Sequence, residues 1–325
     1  DFYYETLPAL HWREIDLDSG FMRIGTFTPL YEHPVWKPKQ SEPEKELVLV
    51  SASGGIDSGL TAWTLKKLGY DVRLVHFNYG QKGHKAEALG VKRLAEAGNM
   101  DYVIIDVRDI FKRDKSSLIA KDVEIHTAEE GKLKTTTAWV SARNLVFLSI
   151  LTSMAEQAIL SNEYDKVYIA SGTPQLSEAG FYPDNSEVFY RDFCEVIKTA
   201  TITPTRIHIV PVMAHLMKYK EWLLGDALGF PFEHTVSCDE PIIDENGEIR
   251  LCRQCGFTLL SIWGARMAGV KDPRKFYDRE RQFTNFETRP LIREGFNKRP
   301  IEEIVQRLIL PKESDYEKLL TIVKK

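Results

Sequence analysis

The chain has 325 residues, of which 43% are apolar and 28% charged, and its formal net charge is −4 at pH 7. These values are typical of a globular protein with a sizeable core, and they argue against a nucleic-acid partner held by bulk positive charge. No apolar run approaches the roughly 18 residues of a membrane span and the first residues lack a signal-peptide pattern, so we expect a cytoplasmic protein without a membrane partner.

The predicted elements alternate between strands and helices from residue 47 onward. Residues 1–46 are expected to form an irregular N-terminal extension, with a hairpin within residues 20–33. Strands are predicted at residues 47–51, 71–77, 102–107, 166–171 and 206–212. Helices are predicted at residues 57–68, 84–97, 141–160, 186–199 and 216–227, and a loop at residues 110–137. Short apolar strands separated by helices indicate a parallel sheet covered on both faces.

The alternation of predicted strands and helices ends near residue 227, so residues 47–227 are expected to form one α/β domain. Residues 228–275 contain three of the four cysteines and are predicted to form a metal or substrate segment. Residues 276–325 are charge-rich and are predicted to form a helical C-terminal extension, in which residues 302–310 have the clearest amphipathic pattern.

The first predicted strand runs directly into the sequence SGGIDS at residues 53–58. Glycines in such a turn let backbone N–H groups approach an anion, and the helix that follows adds partial positive charge. The hydroxyls of Ser53 and Ser58 could donate further hydrogen bonds. Because the turn lacks the lysine of a Walker loop, it is better suited to a departing pyrophosphate than to a transferred terminal phosphate. The alternative is a tight turn in which Asp57 caps the helix.

This turn resembles the SGGxDS loop of the PP-loop ATP-pyrophosphatase superfamily. Four further stretches resemble, in the same order, motifs of one family within it, the 7-cyano-7-deazaguanine synthases. They are Tyr79-Gly80-Gln81-Lys82 with His84 and Glu87, Val140-Ser141-Ala142-Arg143-Asn144, Tyr182-Pro183-Asp184, and Ser237-Cys238 with Cys252-Arg253-Gln254-Cys255. The sequence departs from the family pattern at the extra residue Gly83 and at Asn185, which stands where the family has cysteine.

The resemblance implies a PP-loop α/β fold, a doubly wound parallel sheet with a small cysteine-bearing metal segment and a helical tail. It implies an ATP-dependent carbon–nitrogen ligase that adenylates the carboxylate of 7-carboxy-7-deazaguanine and passes it to ammonia, giving the amide and then the nitrile. The implied cofactors are ATP, Mg²⁺ and Zn²⁺. The residues expected to bind ATP are Ser51, Ser53, Gly54, Gly55, Ile56, Asp57, Ser58 and Gly172.

Catalytic and substrate residues follow from the same motifs. Arg143 lies near the positive end of a long predicted helix, where a cation is unfavourable unless an anion is near, so we expect it to meet phosphate or the substrate carboxylate. Lys218, or else Lys220, is expected to meet phosphate. The expected catalytic residues are Asp57, Ser58, Arg143 and Lys218, and the expected substrate residues are Tyr79, Gln81, His84, Glu87, Asn144, Tyr182 and Asp184. The competing interpretation for Arg143 is a surface ion pair. For His84, Glu87 and the lysine it is a solvated position on a helix, and for Tyr182 and Asp184 it is an ordinary turn.

The cysteines at positions 238, 252 and 255 present three thiolates to one metal ion. A structural zinc ion takes four nitrogen or sulfur ligands in a tetrahedron. The resembled family supplies four cysteines, but Thr258 stands at the last position here. His234 is the first choice for the fourth ligand, with Cys194 and an acidic residue near Asp239 as further candidates. Loss of the metal is the alternative.

Several functional alternatives remain open at this point. The departures from the family pattern are compatible with an enzyme that stops at the amide, or that joins the deazaguanine to an amine on a protein partner. Three cysteines also suit a [4Fe–4S] cluster of the kind used by tRNA-thiolating PP-loop enzymes, although the net negative charge disfavours an RNA substrate. A degenerate ATP-binding adaptor and a homodimer are further hypotheses.

Overall fold

The structure, a computed structural model, describes residues 43–123, 138–172, 182–277 and 301–324. The hairpin predicted within residues 20–33 lies outside the described residues, as does the second half of the loop predicted at residues 110–137. Among the described helices, none combines the length and the apolar character that crossing a bilayer requires.

A five-stranded, fully parallel sheet forms the centre of the molecule, with strand order β3-β2-β1-β4-β5. The strands are β1 (Glu46–Ser51), β2 (Asp71–Asn78), β3 (Asp101–Asp106), β4 (Lys166–Ala170) and β5 (Ile207–Val210). The chain winds from β1 to one edge and then crosses to build the other half. The direction therefore switches beside the carboxyl end of β1, where open α/β sheets bind their ligands.

Helices cover both faces of this sheet. They are α1 (Ile56–Leu68), α2 (His84–Gly98), α3 (Arg108–Phe111), α4 (Arg143–Leu160), α5 (Glu187–Ala200) and α6 (Lys218–Ala227). Apart from the short α3, their bounds and those of the strands agree with the predicted ones to within a residue or two. The α/β, doubly wound prediction is confirmed.

The alternation of side chains along β1 explains the two layers. Val48 and Val50 pack on one face with residues of α1 and α6, whereas Leu47 and Leu49 pack on the other face with residues of α4. All four side chains are buried. Successive side chains of a strand point to opposite faces, so a continuous apolar run is what a strand covered on both sides requires.

The cysteine-bearing segment contains a small sheet that the sequence did not predict. Its strands are β6 (Ile242–Ile243), β7 (Ile249–Cys252) and β8 (Lys275–Tyr277), in the order β6-β7-β8, and helix α7 (Gly256–Ala268) follows β7. Helix α7 packs against α6. The strands are too short for a recognisable alternation of apolar residues, which is why only a change in character was visible in the sequence.

The C-terminal tail packs on the layer formed by α1 and α6. It contains α8 (Ile301–Val305) and α9 (Ser314–Val323). The predicted helix at residues 302–310 was too long, because α8 ends at Val305 and the chain continues irregularly. Leu308 and Leu310 are nevertheless buried in the core, and the Ile309 N–H donates to the Val212 carbonyl at 3.1 Å. Burial of a non-helical segment therefore produced the apolar pattern that resembled a longer helix.

One buried polar contact fixes the tail to the sheet layer. The Tyr70 hydroxyl donates to the Asp315 carboxylate at 2.7 Å, and both residues are buried. Asp315 also accepts from the Lys312 N–H at 3.1 Å. The Lys318 ammonium donates a hydrogen bond to the carbonyl of Leu68 at the end of α1.

We expect the substitution Asp315→Ala to lower the free energy of unfolding by about 1–3 kcal/mol, because it leaves the buried Tyr70 hydroxyl without its acceptor. Urea unfolding followed by circular dichroism measures this change. Asp109→Ala is the control, since that side chain is 97% exposed and its removal should change stability by no more than about 0.5 kcal/mol. Equal midpoints for the two variants would contradict the assigned role of the contact.

Candidate functional site

The loop between β1 and α1 is braced by its own hydroxyls. The Ser58 hydroxyl accepts from the Ser53 N–H at 3.2 Å and lies 3.2 Å from the Ser53 hydroxyl. The Gly55 N–H donates to the Ser53 hydroxyl at 3.2 Å, and the Ile56 N–H donates to the Ser237 hydroxyl at 3.3 Å. These N–H groups stand at the start of α1, where phosphate oxygens could replace the neutral hydroxyl acceptors.

Two glycines let neighbouring backbone approach this loop closely. Gly54 has φ +82°, and a Cβ placed on it would lie 2.9 Å from the Glu87 carbonyl oxygen. A Cβ on Gly172 would lie 2.4 Å from the Asp57 carbonyl carbon and the Ser58 nitrogen. The Gly54 carbonyl in turn accepts from the Val236 N–H at 2.7 Å. Gly172 therefore lies against the backbone of the loop, and Ser51 lies at the end of β1 just before the loop.

Asp57 does not cap α1. The cap residue is Gly55, without a side-chain hydrogen bond, and Asp57 instead forms an ion pair with Lys218 at the start of α6. The Lys218 ammonium also donates to the Glu221 carboxylate at 2.8 Å. The structure thus selects Lys218 over Lys220 for the loop, and it adds Glu221, which the sequence analysis did not single out.

The three groups shift one another's ionisation. Burial opposes charge on Asp57, but the Lys218 ammonium and a hydrogen bond with Glu221 together outweigh it and lower the pKa of Asp57 below its ordinary value. Burial and the Asp57 charge raise the pKa of Glu221 well above its ordinary value. The two carboxylates outweigh burial at Lys218 and raise its pKa. The lysine is therefore charged at neutral pH.

Arg143 and Tyr79 form a second cluster at the same edge of the sheet. Arg143 is the first residue of α4, and its guanidinium donates to the Tyr79 hydroxyl at 3.2 Å and lies 5.4 Å from the centre of that ring. Burial opposes its charge, but Tyr79, Asp184 and Glu87 together raise the pKa of Arg143. A partly buried, permanently charged guanidinium in this position suits a phosphate or carboxylate ligand.

Gln81 links this cluster to Glu87. The Gln81 amide donates to the Glu87 carboxylate at 2.8 Å and to the Phe77 carbonyl at 3.0 Å. Burial raises the pKa of Glu87 to about 7, against the opposing effects of Gln81 and Arg143. Glu87 can therefore gain or lose a proton near neutral pH.

Among the described residues His84 pairs with His76 on β2 and makes no hydrogen bond with Glu87. The two rings are nearly parallel, at 14°, and His84 Nδ1 lies 3.2 Å from His76 Nε2. The Nδ1 of His76 is 2.8 Å from the carbonyl of Ala52, which can only accept, so Nδ1 carries the proton. Burial lowers the pKa of His76 to about 4 and keeps this ring neutral. The pair thereby ties α2 to the residue that precedes the loop.

The predicted base-binding residues meet beside the start of α4. The Asn144 N–H donates to the Asp184 carboxylate at 3.2 Å, and the Asn144 side chain donates to Asn185. Tyr182 stacks on Trp139, with ring centres 5.5 Å apart and planes at 23°. Burial raises the pKa of Asp184. Stacked rings beside a carboxylate provide a face and a hydrogen-bond acceptor for a planar base.

The three cysteines that were predicted to hold metal lie together. The sulfur atoms of Cys238, Cys252 and Cys255 are all buried and within 4.8 Å of one another. The Thr258 hydroxyl lies 3.1 Å from the Cys255 sulfur and donates to the Ser237 carbonyl at 2.8 Å. Within the described residues His234 does not join this group of ligand atoms. Three thiolates fit a soft or borderline metal ion, and a hydroxyl lies beside them.

Several contributors to the site were missed by sequence reasoning. Ser237 was quoted in a motif but was given no role, although its hydroxyl braces the loop. Glu221 follows Lys218 by one helical turn, a spacing that was visible but was not used. Trp139 directly precedes the stretch that contains Arg143, whereas His76, inside an apolar strand, gave no signal. Cys194 lies on α5, away from the cysteine cluster.

Comparison with known proteins identifies the family. Residues 47–260 match the family described as "Queuosine biosynthesis protein QueC". The chain belongs to this family. The matched residues run from β1 through the start of α7 and so include the loop, both charged clusters and all three clustered cysteines.

Relatives within the QueC family differ in length. The chain is 34% identical over 244 residues to a 7-cyano-7-deazaguanine synthase of Sulfolobus acidocaldarius, covering 74% of this chain and 50% of that protein. It is 33% identical over 227 residues to a 7-cyano-7-deazaguanine synthase of Sulfurimonas denitrificans, covering 69% of this chain and 94% of that protein. The chain thus spans about half the length of the archaeal relative. Among solved structures, NMN synthetase from Francisella tularensis aligns at 15% identity with a TM-score of 0.31, covering 58% of this chain and 64% of that one.

We expect Gly172→Ala to lower the rate of the ATP consumption proposed below about tenfold or more, because the new methyl group displaces the loop backbone and misaligned groups lose catalytic effect steeply. A coupled pyrophosphate assay measures this rate. Gly229→Ala is the control, since that glycine has φ +62° and no heavy atom within 4 Å of an added Cβ. The control should lose about 1 kcal/mol of stability from backbone strain but keep its ATP turnover. Equal ATP turnover in both variants would remove Gly172 from the site.

Proposed function

We propose that this chain is an ATP-dependent carbon–nitrogen ligase that adenylates the carboxylate of 7-carboxy-7-deazaguanine and transfers the acyl group to ammonia. The products are the amide and, after a second activation, the nitrile. The observation that carries the proposal is the Asp57–Lys218 ion pair beside the hydroxyl-braced loop, at the sheet edge where β1 ends. Membership of the QueC family and the names of its relatives support the same chemistry.

The loop suits the role of holding the leaving pyrophosphate. The N–H groups of Gly55 and Ile56, the hydroxyls of Ser53 and Ser58, and the Lys218 ammonium supply donors for phosphate oxygens. Preorganised donors of this kind stabilise the charge that develops as the bond between the α and β phosphates breaks. Mg²⁺, when bound, would neutralise polyphosphate charge, and the partly exposed Asp57 carboxylate is the residue that fits it best.

The second cluster suits the acid that is activated. Arg143 would hold the substrate carboxylate against the α-phosphate, while Tyr182, Trp139 and Asp184 would bind the planar base. Adenylation is needed because an amine and a free carboxylate otherwise form only a salt. Glu87, whose pKa is near 7, could accept the proton that the nitrogen nucleophile loses.

The cysteine cluster suits one structural zinc ion rather than an iron–sulfur cluster. Thiolates bound to the same zinc ion at the usual bond length lie about 3.8 Å apart. The three sulfur atoms here lie within 4.8 Å of one another, whereas in an iron–sulfur cluster each thiolate binds a separate iron. The hydroxyl of Ser237, next to Cys238, accepts a hydrogen bond from the Ile56 N–H of the loop, so metal binding would also position the proposed ATP site.

One observation favours a second outcome, in which the reaction stops at the amide. Asn185 stands where the resembled family has cysteine, is buried, and accepts a hydrogen bond from Asn144 beside the proposed base site. A changed residue in this position could alter how the amide is held for a second adenylation. Transfer to an amine on a protein is the related alternative.

We expect the purified protein to convert ATP, 7-carboxy-7-deazaguanine and ammonia to AMP, pyrophosphate and the nitrile. Mass spectrometry of the products, with and without ammonia, tests this. Amide as the final product would restrict the proposal to its first half, and no AMP with this base would overturn it.

The matched variant in the same assay is Asp57→Ala, for which we expect AMP formation to fall by about a hundredfold or more. The fold should persist, because Glu221 remains as the buried partner of Lys218. Asp109→Ala, with its fully solvated side chain, controls for the loss of an aspartate. Unimpaired turnover in Asp57→Ala would show that this aspartate does not belong to the active site.

We expect elemental analysis of the purified protein to give about one zinc per chain and no iron, from the donor set of the cluster. Cys255→Ser should reduce the bound zinc, while Cys194→Ser should leave it unchanged. Iron in stoichiometric amount, or full zinc in Cys255→Ser, would contradict the assignment.

A further inference from the structure

Two histidines beside the loop have no role in the proposed reaction, and their hydrogen bonds form a chain. His76 is buried in β2, whereas His84, the first residue of α2, is half-buried. The Nδ1 of His76 lies 2.8 Å from the carbonyl oxygen of Ala52, and its Nε2 lies 3.2 Å from Nδ1 of His84. The chain therefore runs from the residue that precedes the loop, through a buried ring, to a ring that reaches the surface.

The donors and acceptors of this chain fix where the protons lie. A carbonyl oxygen can only accept, so the contact with Ala52 places the proton of His76 on Nδ1. Burial lowers the pKa of His76 to about 4, which keeps its ring neutral and makes its Nε2 an acceptor. The bond between the rings then requires a proton on Nδ1 of His84. Because a neutral imidazole carries one proton, Nε2 of His84 keeps its lone pair.

No acceptor in the described part of the chain favours a proton on Nε2 of His84. This nitrogen has no hydrogen-bond partner among the described residues. The carboxylate that acts on His84 is that of Asp106, and it already accepts from the Arg108 guanidinium at 2.6 to 3.0 Å. Burial and the charge of Arg108 lower the pKa of His84. A second proton on this ring is therefore unfavourable, and Nε2 is left as an acceptor.

We propose that His76 is a positioning residue that holds His84 in the tautomer with its proton on Nδ1, so that Nε2 of His84 accepts a hydrogen bond from an N–H group of the substrate. This inference rests on the proposed function for the identity of that substrate. Ammonia and the deazaguanine base both carry N–H groups. A ligand that presented only an acceptor at this point would meet a lone pair and would be disfavoured.

Nitrogen NMR of the histidine rings tests the tautomer directly. The ligand-free protein, with isotope-labelled histidine, should show His84 protonated at Nδ1 and unprotonated at Nε2 at neutral pH. The variant His84→Gln identifies the signals of this ring by removing them. A wild-type His84 protonated at Nε2 instead of Nδ1 would overturn the inference. The measurement needs neither substrate nor turnover, so it decides the tautomer even if the proposed function is wrong.

Matched variants test whether His76 sets this tautomer. His76→Phe keeps a buried ring but removes the acceptor, whereas His76→Gln keeps a neutral acceptor oxygen. We expect His84 to shift towards protonation at Nε2 in His76→Phe and to stay protonated at Nδ1 in His76→Gln. His208→Phe replaces an exposed histidine of β5 and should leave the signals of His84 unchanged. An unchanged tautomer in His76→Phe would contradict the proposal. If that variant does not fold, the wild-type spectrum decides alone.

Ammonium chloride and the carboxy-base, added separately to the ATP-bound protein, distinguish the two sources of the N–H group. The ligand that binds here should shift the Nε2 signal of His84. Its KM should rise about three- to tenfold in His76→Phe, the loss expected for one hydrogen bond, while the KM for ATP stays within about twofold. A rise confined to the KM for ATP would contradict the assigned contact.

Two further outcomes separate this inference from the proposed function. If AMP is formed but neither ligand shifts the Nε2 signal, His84 does not meet the substrate and the inference is wrong. If no AMP is formed with the carboxy-base, the proposed function fails by itself, and the tautomer of His84 in the wild type and in His76→Phe still decides whether His76 positions it.

Discussion

The ion pair between Asp57 and Lys218 joins parts of the chain that are 161 residues apart, and the rest of the site is arranged around it. Asp57 lies in the first turn of α1 and Lys218 opens α6, so the contact fixes the two helices that cover one face of the sheet at the edge where β1 ends. Because Lys218 is buried, its charge depends on the neighbouring carboxyl groups, and Lys218 in turn helps to lower the pKa of the partly exposed Asp57. A phosphate ligand would enter an electrostatic environment that the fold has already set.

Two further connections bring distant segments to the same loop. Through Ser237 the cysteine segment reaches the first turn of α1, and through the His76–His84 pair the second helix reaches the residue that precedes the loop. The loop itself is short and rich in glycine, so its shape depends on these neighbours. The cysteine segment thus supports the loop of the proposed ATP site, although it supplies no group to the proposed chemistry.

The α/β architecture could be predicted because its strands are continuous apolar runs and its helices end at clear stop signals such as Gly69, whose φ is +97°. The loop and the three cysteines were visible for the same kind of reason, since each is a local pattern. Contacts between residues that are far apart in the sequence could not be predicted. Nothing in the sequence pairs Asp57 with Lys218 rather than Lys220, or aligns His76 with Ala52, because those contacts depend on how β2 and α6 are placed in three dimensions.

The segment after residue 305 shows that an apolar pattern can predict burial correctly and the backbone conformation wrongly. Leu308 continues the helical spacing of Ile304 and Val305, but Leu308 and Leu310 are buried because the segment lies across the core, where the Ile309 N–H donates to the Val212 carbonyl. Periodicity reports which side chains are buried, and only indirectly which backbone conformation buries them.

The buried positions of Ile304, Val305 and Leu319 in the same cluster as Val48 and Leu60 have a consequence for biosynthesis. The first strand and helix leave the ribosome long before the residues that complete their apolar cover. During that interval the nascent protein exposes the apolar surface that the C-terminal helices later cover. Nascent chains with exposed apolar surface tend to aggregate or to be bound by chaperones. The apolar surface would therefore be covered only when α8 and α9 have been synthesised and have packed on it, and not when the sheet is complete.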